Sequence, residues 1–255
     1  MELGIDILAM LFAAAFIAAF IDAIAGGGGL ITIPALLMTG MPPAMALGTN
    51  KLQAFGGALS ASIYFLRKRA VNLSEFSFIL LVIFIGSVIG TLLIQNLDAS
   101  LIKKGLPFLI LAIGLYFLFT PKLGESDRKQ RISYIVFALC FGSLLGFYDG
   151  FFGPGTGSLM NLACVTLLGF NLTKATAHAK VMNLTSNIAS LIFFLIGGHV
   201  IWTVGLVMMA GSLIGANFGA KMVMAKGKQL IRPMVVIMSF IMTIKMAYDQ
   251  GWFHF

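Results

Sequence analysis

The sequence contains one pattern of interrupted apolar segments twice. Residues 20–29 read FIDAIAGGGG and residues 147–157 read FYDGFFGPGTG, and each run lies within strongly apolar sequence. In both runs an aspartate, Asp22 or Asp149, comes about one turn of helix before a glycine-rich turn. Two similar membrane halves with a Gly- or Pro-interrupted segment at matching positions are typical of secondary transporters, which bind substrate where the halves meet. The duplication therefore predicts a site built from both halves of the chain.

Two further stretches extend the duplication. The run MPPAMALGTNKLQ in the first half aligns with FNLTKATAHAKVM in the second, which places Lys51 opposite Lys180. A third run, GSVIG at 86–90, aligns with GSLIG at 211–215. Repetition of three motifs in the same order predicts two homologous repeats joined by a linker.

The composition places this duplicated chain in a lipid bilayer. Of its residues 59% are hydrophobic and 10% are charged, whereas soluble domains are about 45–50% apolar and about 25% charged. A helix that crosses the hydrocarbon core needs about 20 apolar residues, so the chain has room for about ten crossings and no soluble domain. The net charge of +8 comes from short basic clusters between apolar runs, so nucleic acid is not an expected partner.

Gly, Pro and charged residues divide the sequence into ten apolar segments. The two short ones, at 30–40 and 158–170, follow the glycine-rich turns. Each covers only about half of the hydrocarbon core, so whether they cross the membrane or re-enter it is left open. The long segments are predicted at 4–25, 44–66, 73–97, 101–120, 132–150, 173–197, 201–224 and 229–249.

The basic clusters favour one topology. They lie at 67–69, 122–131 and 226–232, and cytoplasmic loops collect Lys and Arg. If each short segment crosses, all three clusters fall on one face; if each returns, the third cluster changes sides. The arrangement in which the short segments cross therefore fits better, and it predicts an all-α membrane protein of two inverted repeats. Each repeat has about five membrane segments with Gly/Pro-broken half-helices, and both termini are periplasmic. The predicted domains are a first transmembrane repeat at 1–120, a cytoplasmic linker at 121–131 and a second transmembrane repeat at 132–255.

The glycine-rich turns are candidate anion sites. Non-helical backbone at membrane depth is tolerated where protein encloses it or where it lines a cavity. A helix that begins after such a break directs unpaired N–H groups and the positive end of its dipole into that cavity. The alternative is that the glycines only permit close helix packing. The candidate residues at the breaks are Gly26, Gly27, Gly28, Gly29, Gly153, Gly155 and Thr156.

The two aligned lysines are the strongest candidates for substrate contact. A Lys at the centre of a membrane helix costs about 2.5–3.5 kcal/mol on insertion scales, so Lys51 and Lys180 are expected to face a cavity or a counter-ion. Snorkelling of the ammonium groups to the headgroups is the alternative. The neighbouring Asn50, Gln53 and Asn183 make these helix faces too polar for lipid, although such amides also join membrane helices.

Three further ionisable residues lie in the apolar segments. Asp22 and Asp149 can pair with a lysine of the same or the opposite half, or carry a coupled proton. A structural ion pair, or a carboxylate held by backbone donors, is the favoured interpretation. His178 aligns with Thr49 rather than with another histidine. It is interpreted as a packing residue in preference to a proton relay.

The motifs resemble those of the TauE/SafE sulfite exporter family. The resemblance rests on DAIAGGGGLITIP from Asp22, GTNKLQ from Gly48, DGFFGPGTG from Asp149 and AHAKVMN from Ala177, in this order across essentially the whole chain. It implies multi-pass transport of a small sulfur oxyanion or organosulfonate, such as sulfite or sulfoacetate, in the bacterial inner membrane. The lysines agree with an anionic substrate but do not by themselves indicate sulfur.

The leading interpretation is a secondary transporter of a small anion, and an anion channel without alternating access is the alternative. An enzyme is not expected, because the sequence contains no HExxH, GxSxG or CxxC motif. No metal or organic cofactor is expected. The direction of transport, the coupling ion and the oligomeric state, a homo-oligomer included, are left open.

Overall fold

A computed structural model describes residues 3–96, 115 and 124–249. Within these residues the chain forms nine helices joined by short turns and no other regular structure. The segment predicted at 101–120 lies outside the described residues except for Leu115, and Lys122 of the second basic cluster also lies outside them. The helices are α1 (Ile5–Ala25), α2 (Gly29–Leu37), α3 (Pro43–Arg67), α4 (Leu73–Ile94), α5 (Tyr134–Phe151), α6 (Thr156–Leu167), α7 (Leu172–Ile196), α8 (Trp202–Lys226) and α9 (Lys228–Asp249).

Five of the described helices, α1, α4, α5, α7 and α8, are long and apolar enough to cross a membrane. Helix α3 has the same length as α7, 25 residues, but its polar stretch from Thr49 to Gln53 lowers its mean hydropathy. Local signals fix the helix starts: the Asn72 side chain accepts from the Ser74 amide at α4, and Asn171 accepts from Lys174 at α7. The chain is a multi-pass membrane protein.

Small residues set the packing of the long helices. Helix α1 packs against α8, and α4 packs against α5, so each pair joins a helix that precedes the linker to one that follows it. A Cβ atom added at Gly90 would lie 2.1 Å from the Phe147 carbonyl oxygen, and one at Gly215 would lie 2.1 Å from that of Phe16. Contacts this close to backbone require glycine. In both pairs the residue numbers of the contacting positions increase together along the two helices, so the paired helices run parallel.

These contacts correct the third sequence alignment. When Asp22 is matched with Asp149, Phe16 corresponds to Ser143. Gly86 lies against the Ser143 carbonyl oxygen, and the glycine that lies against the Phe16 carbonyl oxygen is Gly215, whereas Gly211 lies against that of Phe12. The sequence alignment was displaced by about one helical turn, because the face of α8 that packs against α1 carries a glycine at every fourth position.

The described residues of the three basic clusters lie at one end of the helix bundle. Near the start of α4, the Phe76 ring lies 5.8 Å from that of Tyr134, at the start of α5. The linker reaches the same end, because Lys228 Nζ bonds to Glu125 at 2.8 Å and the Arg128 amide donates to the Gly169 carbonyl. The opposite end holds the α2–α3 and α7–α8 turns, where the Ile201 amide donates to Thr49 Oγ1 at 3.0 Å.

The polar residues of α3 lie between two apolar clusters. The larger cluster includes Phe65, Phe76 and Ile79 toward the basic end. The smaller one surrounds Leu11 and Leu36 toward the opposite end. The buried polar face of α3 is therefore held between two packed layers, at an intermediate level of the bundle.

Candidate functional site

The two helix breaks lie against each other inside the bundle. A Cβ atom at Gly26 would lie 2.3 Å from the Ser158 amide nitrogen, and one at Gly157 would lie 2.9 Å from Gly26 Cα. The Ser158 hydroxyl donates to the Ala25 carbonyl, which joins the start of α6 to the end of α1. Backbone interrupted in this way is enclosed by protein, as the hydrocarbon environment requires.

Glycines at positive φ produce both turns. Gly26 and Gly27 have φ of +80° and +92° between α1 and α2, and Gly153 and Gly155 have φ of +86° and +80° between α5 and α6. Side-chain-bearing residues rarely adopt this conformation. The sequence places these glycines at the two points where the chain must turn within the bundle.

Lys51 forms an ion pair with the aspartate of the opposite half. Its ammonium donates to the Asp149 backbone carbonyl at 2.6 Å and to Asp149 Oδ1 at 3.2 Å. Both side chains are almost fully buried, with exposures of 4% for Lys51 and 2% for Asp149. This lysine does not snorkel, because its ammonium ends at the α5–α6 break.

Lys180 forms the reciprocal pair. Its ammonium donates to Asp22 Oδ2 at 2.6 Å, and the Gly28 amide, at the start of α2, donates to Asp22 Oδ1 at 3.0 Å. Lys180 is as deeply buried as Lys51, whereas the Asp22 side chain is 27% exposed. The sequence left the pairing open, and the structure pairs each lysine with the aspartate of the other half.

The Asp149 carboxylate has further donors. Asn183 Nδ2 donates to Oδ2 at 3.0 Å, and the Ser186 hydroxyl also donates to Oδ2. The Thr156 hydroxyl lies 3.3 Å from Oδ1, but its one proton is shared with the Gly153 carbonyl at 2.7 Å. These donors hold the carboxylate in one position. The α5–α6 break is thereby joined to both α3 and α7.

A cavity of about 40 Å³ lies between the two breaks. Its volume is enough for a few water molecules or one small ion. Asn50 and Gln53 face it from α3; Asn50 accepts from Thr32 Oγ1 at 2.5 Å, and Gln53 donates to the Ser212 hydroxyl of α8. The lining residues are Ala19, Asp22, Gly27, Gly28, Gly29, Asn50, Lys51, Gln53, Ala54, Gly57, Asp149, Gly153, Gly157, Asn183 and Asn187.

The sequence candidates therefore converge, with one exception. His178 is buried away from the cavity, with its ring centroid 4.7 Å from each of the Phe76 and Phe170 rings and Nδ1 2.8 Å from the Lys174 carbonyl oxygen. Gly26, Gly155, Thr156 and Lys180 adjoin the site without lining the cavity.

Sequence reasoning did not select several residues that the structure brings to this site. Ser186 lies three residues after Asn183, so helical spacing could have placed it on the same face. Gly57 and Gly157 line the cavity because they lack side chains, and Ser212 reaches Gln53 from a helix distant in sequence. Only tertiary packing identifies these last contacts.

The formal charges of the site balance. Each of the two lysines lies within hydrogen-bond distance of one aspartate, so the site has two positive and two negative formal charges. The lysines alone had suggested a positive site. An incoming anion must therefore either displace a carboxylate from its lysine or bind an ammonium group that is already paired with a carboxylate. In both cases the ion pairs take part in recognising the anion.

Comparison with known proteins identifies the family. The family described as sulfite exporter TauE/SafE matches residues 11–246. The chain belongs to the TauE/SafE family. The family resemblance found in the sequence motifs is confirmed, and so is the expectation that this TauE/SafE protein is a membrane transporter and not an enzyme.

The TauE/SafE relatives match along nearly their whole length. A Haemophilus influenzae protein named "Probable membrane transporter protein" is 76% identical over 255 residues, all of both chains. "Probable membrane transporter protein YfcA" of Escherichia coli K12 is 55% identical over 244 residues, 96% of this chain and 91% of the relative. "Probable membrane transporter protein ORF9" of a Sinorhizobium species is 48% identical over 248 residues, 97% of this chain and 95% of the relative. No solved structure matches the chain.

Proposed function

We propose that this TauE/SafE protein is a secondary transporter of a small anion, a sulfur oxyanion or organosulfonate such as sulfite or sulfoacetate. The observation that carries the proposal is the crossed arrangement of Lys51 with Asp149 and Lys180 with Asp22 around a cavity between the helix breaks. The family name supports sulfur as the central atom of the substrate.

The surroundings of the cavity favour a negative ligand. Helices α2 and α6 begin at the two breaks, so the positive ends of their dipoles lie beside the cavity, although several of their first N–H groups already bond to the preceding turns, as Leu30 does to Gly27 and Ser158 to Gly155. Such helix starts attract anions, and the buried ammonium groups add charged donors. A cavity of about 40 Å³ suits a compact oxyanion better than a bulky solute.

The helix directions support transport by two inverted repeats. Helix α1 runs parallel to α8, which begins at the α7–α8 turn and ends at the basic end, whereas the matching helix α5 begins at the basic end. Repeats at 1–120 and 132–255 would therefore have opposite orientations, with the linker at 121–131 on the cytoplasmic face of the inner membrane. Rocking of one repeat against the other would expose the cavity to each side in turn.

Uptake into liposomes tests the function. Wild-type protein is reconstituted and the flux of labelled sulfite is compared with that of a Lys51→Ala, Lys180→Ala double variant. We expect the double variant to lose more than about tenfold of the flux, because each 1.4 kcal/mol of lost interaction lowers a rate tenfold. Lys228→Ala is the matched control, because Lys228 pairs with Glu125 on the surface and its side chain is 50% exposed.

Two outcomes of the uptake experiment, and one of a separate electrical recording, would change the proposal. Equal flux from the wild type and the double variant contradicts the role of the lysines. No flux of sulfite, sulfoacetate or other small anions through wild-type protein contradicts anion transport altogether. Single-channel currents far above the turnover of a carrier would identify the protein as an anion channel that uses the same residues.

A further inference from the structure

The two ion pairs are chemically alike but are held very differently. The Asp149 carboxylate accepts from Asn183 and Ser186 in addition to Lys51. The Asp22 carboxylate accepts only from Lys180 and the Gly28 amide among the described residues. Asp149 is consequently fixed by three side chains, whereas Asp22 is fixed by one.

The lysines differ in the same sense. Each ammonium has three N–H donors. Lys51 uses two of them on Asp149, through its backbone carbonyl and its carboxylate. Lys180 has one acceptor among the described residues, Asp22 Oδ2, although its side chain is only 2% exposed. A buried ammonium with unused donors favours additional oxygen ligands.

Asp22 stands between the cavity and Lys180. Asp22 lines the cavity and its side chain is 27% exposed, whereas Lys180 lies behind it. The neighbouring Gly157 also lines the cavity, and a Cβ atom added there would lie 3.5 Å from Lys180 Nζ and 3.8 Å from Asp22 Oδ1. Gly157 therefore lies beside the ion pair at the edge of the cavity, with Gly26 packed against it.

We infer that the substrate oxyanion binds by replacing the Asp22 carboxylate between the Lys180 ammonium and the Gly28 amide, while the Lys51–Asp149 pair stays closed. The inference rests on the proposed function and assigns unequal roles to the two lysines. The Asp22 carboxylate occupies a charged donor and a helix-start amide, the combination that binds an oxyanion. The Asp22 carboxylate thus competes with the substrate for these two donors, and it moves into the cavity when the substrate binds.

Thermal unfolding of purified protein in detergent tests this exchange without measuring transport. Sulfite is titrated against gluconate at constant ionic strength, and the Tm of Asp22→Asn is compared with those of wild type and Asp149→Asn. Asp22→Asn leaves Lys180 without its carboxylate, so sulfite should bind at least about tenfold more tightly than to wild type. We expect sulfite to raise the Tm of this variant by roughly 5 °C or more.

The other variants should not gain this response. Asp149→Asn should lower the Tm and respond to sulfite no more than wild type does. A double variant, Asp22→Asn with Lys180→Gln, should have no sulfite response because the cationic donor is gone. Asp127→Asn is the matched control, since it breaks an exposed pair in which Lys174 Nζ lies 3.6 Å from Asp127 Oδ2.

The inference is overturned if sulfite leaves the Tm of Asp22→Asn unchanged, or if it stabilises Asp149→Asn equally. If Asp22→Asn does not fold, the double variant decides: it must lose the sulfite response that wild type has, and a retained response overturns the inference. Flux through wild-type protein is measured separately. A stabilised Asp22→Asn together with no wild-type flux would contradict transport but support the anion site, whereas flux without stabilisation would support transport and contradict the site.

Discussion

At the scale of single residues, the account depends on charges that are buried only in pairs. Removing one partner of a buried ion pair leaves the other charge without compensation, which is far more costly than the pair is favourable. Lys51 and Asp149 are both almost fully enclosed, whereas Lys228 and Glu125 form a similar contact on the surface. The two pairs therefore provide a comparison of one substitution in two environments.

Lys51→Gln is expected to lower the free energy of unfolding by about 3–5 kcal/mol, because the Asp149 carboxylate loses its counter-ion. The same change at Lys228 should cost less than about 1 kcal/mol, since water screens that pair. Denaturant unfolding in detergent measures both. A double variant, Lys51→Gln with Asp149→Asn, should recover part of the loss; equal losses for Lys51→Gln and Lys228→Gln would contradict burial of the pair.

His178 is expected to contribute packing and not proton transfer. Its ring lies between those of Phe76 and Phe170, and it is not in the cavity lining. Sulfite flux through His178→Gln, corrected for the amount of folded protein, should stay within about twofold of wild type. A folded variant that loses flux, or whose flux responds differently to pH, would assign His178 to the transport pathway instead.

At the scale of helices, glycine contacts determine how closely the two halves approach. A Cβ atom at Gly90 would lie 2.1 Å from the Phe147 carbonyl oxygen, and the nearest backbone would have to shift. At Gly142, in the same pair of helices, the nearest atom outside its neighbourhood would be 3.6 Å away on the Ile83 side chain. Gly90 is therefore sterically required in this interface, whereas Gly142 is not.

Gly90→Ala should lower the free energy of unfolding by about 1–3 kcal/mol through overpacking, and Gly142→Ala should change it little. The measurement is the Tm of each variant in the same detergent. Similar Tm values for the two variants would show that α4 and α5 do not approach as closely as described.

The helices were largely predictable from sequence, whereas their partners were not. Glycine, proline and charged residues bound the apolar runs, so the segments predicted at 44–66 and 173–197 agree closely with α3 and α7. The π-helical stretch Phe137–Gly142 within α5 had no sequence signal. The crossed pairing of lysines and aspartates, and the glycine register between α1 and α8, depend on contacts between distant segments that periodicity does not reveal.

At the scale of the whole molecule, the charge distribution gives a topology that can be tested. The loop at 67–69 and the turn at 226–228 lie at the same end of the bundle, and the α7–α8 turn lies at the other. The rule that basic residues stay in the cytoplasm predicts that the first two face the inside of the cell. The site lies between these ends, where alternating exposure requires it.

Single cysteines should report this topology in a background lacking Cys140 and Cys164. We expect a membrane-impermeant maleimide to label Lys68→Cys and Lys226→Cys only in inverted vesicles. Thr203→Cys, just after the α7–α8 turn, should label only in right-side-out vesicles. Labelling of Lys68→Cys and Lys226→Cys from opposite sides would contradict the bundle and with it the inverted repeats.

The most direct test of the central claim is to locate a bound anion in a crystal of the protein. Selenite has the shape and charge of sulfite, and selenium gives an anomalous signal that identifies its position. The account predicts a selenium peak in the cavity between the two helix breaks, within hydrogen-bond distance of a buried lysine ammonium. Selenium peaks confined to the exposed basic clusters, with the cavity empty in protein that transports sulfite, would contradict it.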